Sequence, residues 1–308
     1  MTSELDLYSE LRPRAFAIAY QMLGSVSEAE DVVQEAFLRV HQTLQRDEQI
    51  SSPRAYIATL VTRLAIDQLR SARVRREQYV GEWLPEPVVT EPSPAEQAET
   101  ADSLSLAFLV LLESLSPQQR AAFLLREVFD YPYPEVADIL GTTVDGARHL
   151  VARARAQLHE RRPRYYASRR QRDELAQRFF AAAEQGDLGA LEALLAQDVA
   201  FHGDGGGKAP ALARPLHGRE RVARALLVGM STLPRLGVRL QLTEVNGQPG
   251  AVALDAQDRL VGVIGLDILD GQIQTIHSVV NPDKLQHFDR VGNLATLVRE
   301  NRRRDGKE

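Results

Sequence analysis

The sequence predicts a multidomain chain, two all-α modules followed by an α+β domain. Three observations predict it. Over residues 5 to about 78, and again from Leu104 to about Arg161, apolar residues recur every three or four positions, the helical period. Beyond about Val199 the pattern changes to short alternating β-branched runs, the strand period. Between the helical blocks, residues 81–102 hold four prolines (Pro85, Pro87, Pro92, Pro94) and read as an extended linker. A chain of 308 residues has room for two or three domains at roughly 100–200 residues each.

The first helix carries Leu11, Ala15, Ile18, Ala19 and Met22 on one face and stops at Gly24. Ser27 is the candidate N-cap of the second, with Glu30 completing a capping box. That helix buries Val33, Ala36, Phe37 and Val40 and runs to about Leu44. Ser52-Pro53 opens a third, with proline in its first turn and Ile57, Leu60, Val61, Leu64 and Leu69 inward. Helices resume at Leu104, with a start at Ser116-Pro117 and an end near Asp130. After Arg172 come helices over Asp173–Glu184 and through Leu195. Strands are expected over 199–202, 238–245, 251–254, 260–268 and 273–280, with Asp270-Gly271 as a hairpin turn. This order predicts an antiparallel meander in an α+β domain. Residues 301–308 read as a frayed end.

Composition excludes several function classes. With no cysteine there is no disulfide framework, thiolate nucleophile or Cys-based zinc site. The early acids Glu4 and Asp6 and the short apolar runs predict neither a signal peptide nor a membrane span, hence a cytoplasmic protein with no membrane partner. The net charge is −5, yet its distribution is uneven. Arg63–Arg76 holds five arginines and one acid, and Gly146–Arg172 holds nine arginines and one acid. Between them, Gly81–Asp102 holds six acids and no base. Basic clusters on helices are the footprint of phosphate binding, and a solvated helix face is the plainer alternative.

Tyr131–Leu158 is the most diagnostic stretch. A short helix over Pro134–Leu140, Gly141 and a helix capped by Thr143 predict a helix-turn-helix. Val136, Ala137 and Leu140 face inward from the first helix, and Val144, Ala147, Val151 and Ala154 from the second. Asp145, Arg148, His149 and Ala152 then face outward. Arg148 and His149 suit base edges, whereas Arg153 and Arg155 suit phosphates.

Taken together these pieces resemble a bacterial RNA polymerase sigma factor of the extracytoplasmic-function group. Asp31-Val32-Val33-Gln34-Glu35-Ala36-Phe37 is similar to its acidic region 2.2 motif. The resemblance implies that Asp31, Gln34, Glu35 and Leu38 dock on the polymerase core, at the beta-prime clamp, with the beta subunit also a partner. Ser52–Tyr56 and Ala65–Arg70 resemble regions 2.3 and 2.4, which open the promoter −10 element. Arg63, Asp67, Arg70, Arg73, Arg75 and Arg76 are the implied −10 contacts, with Asp47–Ser52 and Tyr56 beside them. Leu115–Leu158 resembles region 4, implying −35 contacts by Asp145, Arg148, His149, Arg153 and Arg155. The chain departs from the family at Leu150, where many members carry arginine.

The remainder resembles the SnoaL-like, nuclear-transport-factor-2-type cone domain appended in one subgroup of that family. Three strings carry this: Trp83-Leu84-Pro85-Glu86-Pro87, Asp204-Gly205-Gly206-Gly207-Lys208 and Asn281-Pro282-Asp283-Lys284-Leu285. The implied layout is region 2 over 1–80, linker over 81–103, region 4 over 104–170, cone domain over 173–290 and tail over 291–308. In that subgroup the extension regulates its own sigma core. Trp83, Pro85, Asp204, Gly205, Gly206, Gly207, Lys208, Asn281, Pro282 and Asp283 are the implied regulatory contacts. Promoter DNA is the implied partner, and a small-molecule ligand of the third domain is a further candidate. Read from the residues alone, the glycine run also suits an anion nest.

Two other readings stay open at this point: a DNA-binding regulator outside the polymerase, or an enzyme on a helical scaffold. His202, His217, His277, Asp204 and Asp267 are acid–base candidates, but they are scattered, and no His-x-x-x-His or Glu-x-x-His spacing supports a metal. No catalytic residue, metal or cofactor is therefore expected.

Overall fold

The computed structural model describes residues 4–46, 50, 52–90, 104–159 and 169–305. The chain divides into two compact units, residues 1–78 with 109–162, and residues 79–108 with 163–308.

The first unit is helical. Helices α1 (Glu4–Leu23), α2 (Val26–Gln45) and α3 (Pro53–Glu77) form a bundle. Its core includes Ile18, Met22, Leu23, Val33, Ala36 and Val61. The cap of α2 is Ser25, not Ser27. Ser25 has the extended backbone a cap needs (φ −129°, ψ 128°) and accepts from Glu28 N at 3.2 Å. Glu30 is held instead by a two-pronged contact from Arg12, both oxygens at 2.8 Å.

Helix α4 (Leu106–Leu112) leads to α5 (Pro117–Phe123), which starts on the Ser116–Gln119 capping box. A π-turn over Leu124–Val128 follows, closed by Phe129 N to Leu124 O at 3.0 Å. Then come α6 (Tyr133–Leu140) and α7 (Val144–His159). Gly141 ends α6 in the left-handed conformation (φ 63°), where a side chain would be strained. Ile139, more than Leu140, is the buried residue of that turn, with Val136 and Ala137. From α7, Ala147, Val151, Ala154 and Leu158 are buried. A Cβ on Gly146 would collide with Thr142, so the turn can pack closely there.

The second unit is α+β. Helices α8 (Arg169–Gln185), α9 (Leu188–Leu194) and α10 (Arg219–Thr232) cover one face of a seven-stranded sheet. Its strands are β1 (Val89–Thr90), β2 (Leu195–Asp204), β3 (Leu216–His217), β4 (Arg239–Val245), β5 (Gln248–Leu254), β6 (Leu260–Leu269) and β7 (Gln272–Val279), in the order β1–β4–β5–β6–β7–β2–β3. The sheet is mixed rather than an antiparallel meander. β2 pairs parallel with β7, His202 opposite His277, because the helical excursion between β2 and β4 supplies a long crossover. Linker residues Val89 and Thr90 add an edge strand, opposite Val245 and Glu244 of β4. Helix α11 (Leu294–Asp305) forms where the sequence reads as a tail, and its Leu294 and Leu297 pack on Val238, Ala253 and Val261.

Strand alternation sorts the sheet into two faces. Phe201, Leu266 and Ile276 join Phe179, Leu191, Val222 and Leu226 in the main core. His277 points the other way, beside Leu106, Ala107, Gln248 and Asp267. Phe179 is fully buried in that core. We expect Phe179→Ala to lower the stability of this domain by about 3–5 kcal/mol, read from its transition in chemical denaturation.

Candidate nucleic-acid interface and linker clasp

On α2, Asp31, Gln34 and Leu38 project to solvent from one face, as spacings of three and four require. Leu38 is 49% exposed, unusual for a leucine on a packed bundle. Glu35 beside them pairs with Arg39 at 2.7 Å. On α3, Asp67 and Arg70 are exposed and paired at 3.2 Å. The side chains of Arg73, Arg75 and Arg76, and residues 47–49 and 51 of the preceding loop, lie outside the described residues. Tyr56 is half-buried, its hydroxyl 3.1 Å from Thr43 Oγ1 on α2.

On α7, Asp145, Arg148, His149, Arg153 and Arg155 are all exposed. Arg148 pairs with Asp145 at 3.1 Å and lies 5.7 Å from the Tyr133 ring centroid. Arg155 is engaged with Glu127 through two contacts, at 2.7 and 3.2 Å.

Three arginines join the two helical modules, each through backbone carbonyls near a helix end. Arg63 donates to Ile139 O (3.0 Å) and Asp138 O (3.2 Å) at the end of α6. Arg14 donates to Phe129 O (2.7 Å), its guanidinium 4.9 Å from the Tyr131 ring centroid. Arg120, 3% exposed, donates to Met22 O (2.7 Å), Leu112 O (3.0 Å) and Glu113 (2.8 Å). The last carbonyls of a helix lack intrahelical partners and carry its negative dipole end, so a guanidinium suits them. The sequence marks Arg63 as a −10 contact, and its long-range partner is visible only in the fold. Arg14 and Arg120 have no motif to announce them.

The second unit gathers the three separated strings into a clasp on the linker. Asp204 is fully buried and its carboxylate accepts from Tyr79 Oη (2.5 Å), Leu84 N (2.9 Å) and Lys284 Nζ (2.6 Å). Lys284 also donates to Leu84 O, and its ammonium lies 4.1 Å from the Trp83 ring centroid. Asn281 donates to Tyr79 Oη at 2.7 Å. Burial, then the Asp204 carboxylate, holds the Tyr79 phenol far above its ordinary pKa, so it remains a donor.

Gly206 (φ 57°) tolerates no side chain, since a Cβ would strike the Asn281 amide and Tyr79. One on Gly207 would press on Val80. The glycine run thus serves close approach, and Lys208 beside it pairs with Asp283. Further along the linker, Leu84, Pro85, Glu86 and Pro87 are buried. Glu82 meets His202 at 2.6 Å, Pro87 O meets His287 Nε2 at 2.9 Å, and Val88 N donates to Asn246 Oδ1 at 2.9 Å.

His202 and His277 stack at 5.3 Å on the sheet face away from the main core. Burial, and then neighbouring His202, pushes the His277 pKa down to about 3, so it is neutral near pH 7. Among the described residues, no group of three or more His, Asp or Glu is placed to hold a metal. No helix among them is long and apolar enough to cross a membrane.

An exposed arginine-bearing helix-turn-helix and a helical bundle whose second helix presents acids to solvent, followed by a sheet domain gripping the linker, define a transcription-initiation factor with a fused cone domain. The family comparisons agree element by element: Sigma-70 region 2 matches residues 7–75, Sigma-70 region 4 matches 105–158, and the SnoaL-like domain matches 176–277. The chain is 38% identical to the ECF RNA polymerase sigma factor SigJ of Mycobacterium tuberculosis, over 91% of this chain and 93% of that one. It is 32% identical to the probable ECF RNA polymerase sigma factor SigI of the same species, over 87% and 90%. The crystal structure of M. tuberculosis SigJ superposes with a TM-score of 0.74 at 35% identity, covering 92% of this chain and 98% of that one. The chain belongs to the extracytoplasmic-function RNA polymerase sigma factors.

The His277 shift makes stability depend on pH. Its folded pKa of about 3 lies below the ordinary 6.5, so the unfolded chain takes up this proton first on acidification. The contribution is intact above pH 6.5 and is lost as the pH falls towards 3, at up to about 1.4 kcal/mol per pH unit. Denaturation midpoints measured between those limits should fall more steeply for the parent than for His277→Gln.

Proposed function

We propose that this sigma factor joins the polymerase core through the Asp31, Gln34, Glu35 and Leu38 face of α2, against the beta-prime clamp. It reads the −10 element through α3 and the −35 element through the outer face of α7. The observation that carries the reading is that one compact unit presents both surfaces: an exposed acidic ridge bearing Leu38, and a helix whose outward residues include Arg148, His149 and Arg153. A regulator acting outside the polymerase has no use for the first. The working site is the cytoplasm, where the polymerase is.

The form described here is a resting one. Promoter elements are separated along DNA, so their two readers must part, whereas Arg14, Arg63 and Arg120 tie the helical modules together. Binding to polymerase and DNA supplies the free energy to break these contacts and frees Arg63 for phosphate. The third domain regulates by holding the linker. Residues 82–87 must leave the Asp204–Lys284 clasp before this acidic segment can follow a basic channel of the polymerase.

Catalysis by the third domain has little to support it. The acid–base candidates His277, which is buried, and Asp267, which is half-buried, stand on the sheet face opposite the apolar core, beside Leu106 and Ala107. Asp204 is committed to Lys284 and Tyr79.

Run-off transcription with purified core polymerase tests the reading. The chain should direct initiation from a defined set of promoters, and absence of any polymerase-dependent transcript overturns it. Asp204→Asn, which loosens the linker, should change transcript yield severalfold. Arg148→Ala should weaken −35 recognition by about 1–3 kcal/mol and relax sequence preference there, measured by competition among promoter variants.

A further inference from the structure

We infer that the third domain binds an uncharged, largely hydrocarbon small molecule, in a cavity of about 310 Å³ between the sheet, α10 and α11. The size falls at the lower end of small-molecule sites. Phe201, Val263 and Ile276 wall it from the sheet, Leu226 and Met230 from α10, and Val298 from α11. Among the described residues, no charged side chain lines it. Of the two hydroxyls that line it among the described residues, Thr232 donates to Gly229 O at 2.6 Å within its own helix, which leaves Ser278 to face an occupant. A carboxylate or ammonium would lose its hydration there with no partner in exchange, so the cavity selects against charge.

The cavity connects to the clasp through covalent neighbours. Ser278 and Val280 line it from the end of β7. The amides of Val280 and Asn281 both donate to Asp204 O, at 2.8 and 3.0 Å, and Asn281 reaches Tyr79. Pro210, two residues beyond Lys208, lines the cavity from the other side of the clasp. From Asn281 the chain runs on through the Leu260–Val291 bridge to α11, whose Leu294–Val298 turn is only half-buried over the cavity. An occupant touching Ser278, Val280 and Pro210 therefore bears on the segments that grip the linker. This regulatory consequence rests on the function proposed above, while the binding itself does not.

Titration of the full-length chain with the neutral fluorophore N-phenyl-1-naphthylamine tests the site. The expected result is a saturable rise in fluorescence at one probe per chain, reversed by 1-decanol and not by decanoate at pH 8. Ala225→Phe and Val298→Arg fill or charge the cavity from different walls. Each should weaken binding roughly tenfold or more while leaving the near-ultraviolet circular dichroism unchanged, and if one fails to fold the other decides. Non-saturable fluorescence, equal competition by decanoate, or parental affinity in a folded variant overturns the inference. Run-off transcription on the same preparations separates the two readings. Probe binding with transcription indifferent to Asp204→Asn sinks the regulatory role and leaves the cavity site. No probe binding with transcription sensitive to Asp204→Asn does the reverse.

Discussion

A fully buried carboxylate, Asp204, facing an almost buried ammonium, Lys284, constrains everything around it. Each charge taken out of water costs several kcal/mol, and only close pairing with further hydrogen bonds offsets this. The third domain cannot supply all those bonds itself. Tyr79 Oη and Leu84 N complete the carboxylate, Leu84 O completes the ammonium, and the Trp83 face covers it. The linker is thus part of the domain's electrostatic balance. Three strings far apart in sequence meet here because each carries one part of the solution: the acid, the base, and the backbone that bridges them. The glycines after Asp204 follow from the same need, since Tyr79 and Asn281 pass where a side chain would stand.

The helical unit solves a related problem with opposite means. Its inter-module contacts include guanidinium groups on terminal backbone carbonyls, which any sequence offers. Such contacts depend on the geometry of helix ends. They are also partly open to water, apart from buried Arg120, as the exchange for phosphate proposed above requires.

Much of this architecture was legible in the residues. The helix-turn-helix could be read because Gly141, Thr143 and the arginine-bearing outer face are local signals, set by turn geometry and period. The strands over 238–280 could be read for the same reason. The parallel pairing of β2 with β7 could not, because register between strands about seventy residues apart leaves no local mark. Helix α11 was hidden by its polar composition: Leu294, Leu297 and Val298 are a thin apolar stripe among charges. The three linker-clasp strings were legible as strings, but their convergence on one buried charge pair was not. Arg63 illustrates the limit most directly. An arginine on a basic helix reads as a phosphate ligand, and its engagement by Asp138 and Ile139 carbonyls depends on tertiary packing alone.

The added strand β1 carries a further consequence. Val89 and Thr90 cap one margin of the sheet, and Thr90 Oγ1 also bonds Glu244 at 2.9 Å. Were the linker to depart as proposed, part of β4 would lose its neighbour, and Leu242 on that strand is already 48% exposed. Bare strand margins invite pairing with whatever extended chain is near. The activated molecule of that proposal would carry a brief adhesive seam. On that proposal, a low concentration or a quick transfer to the polymerase would keep the seam from pairing wrongly.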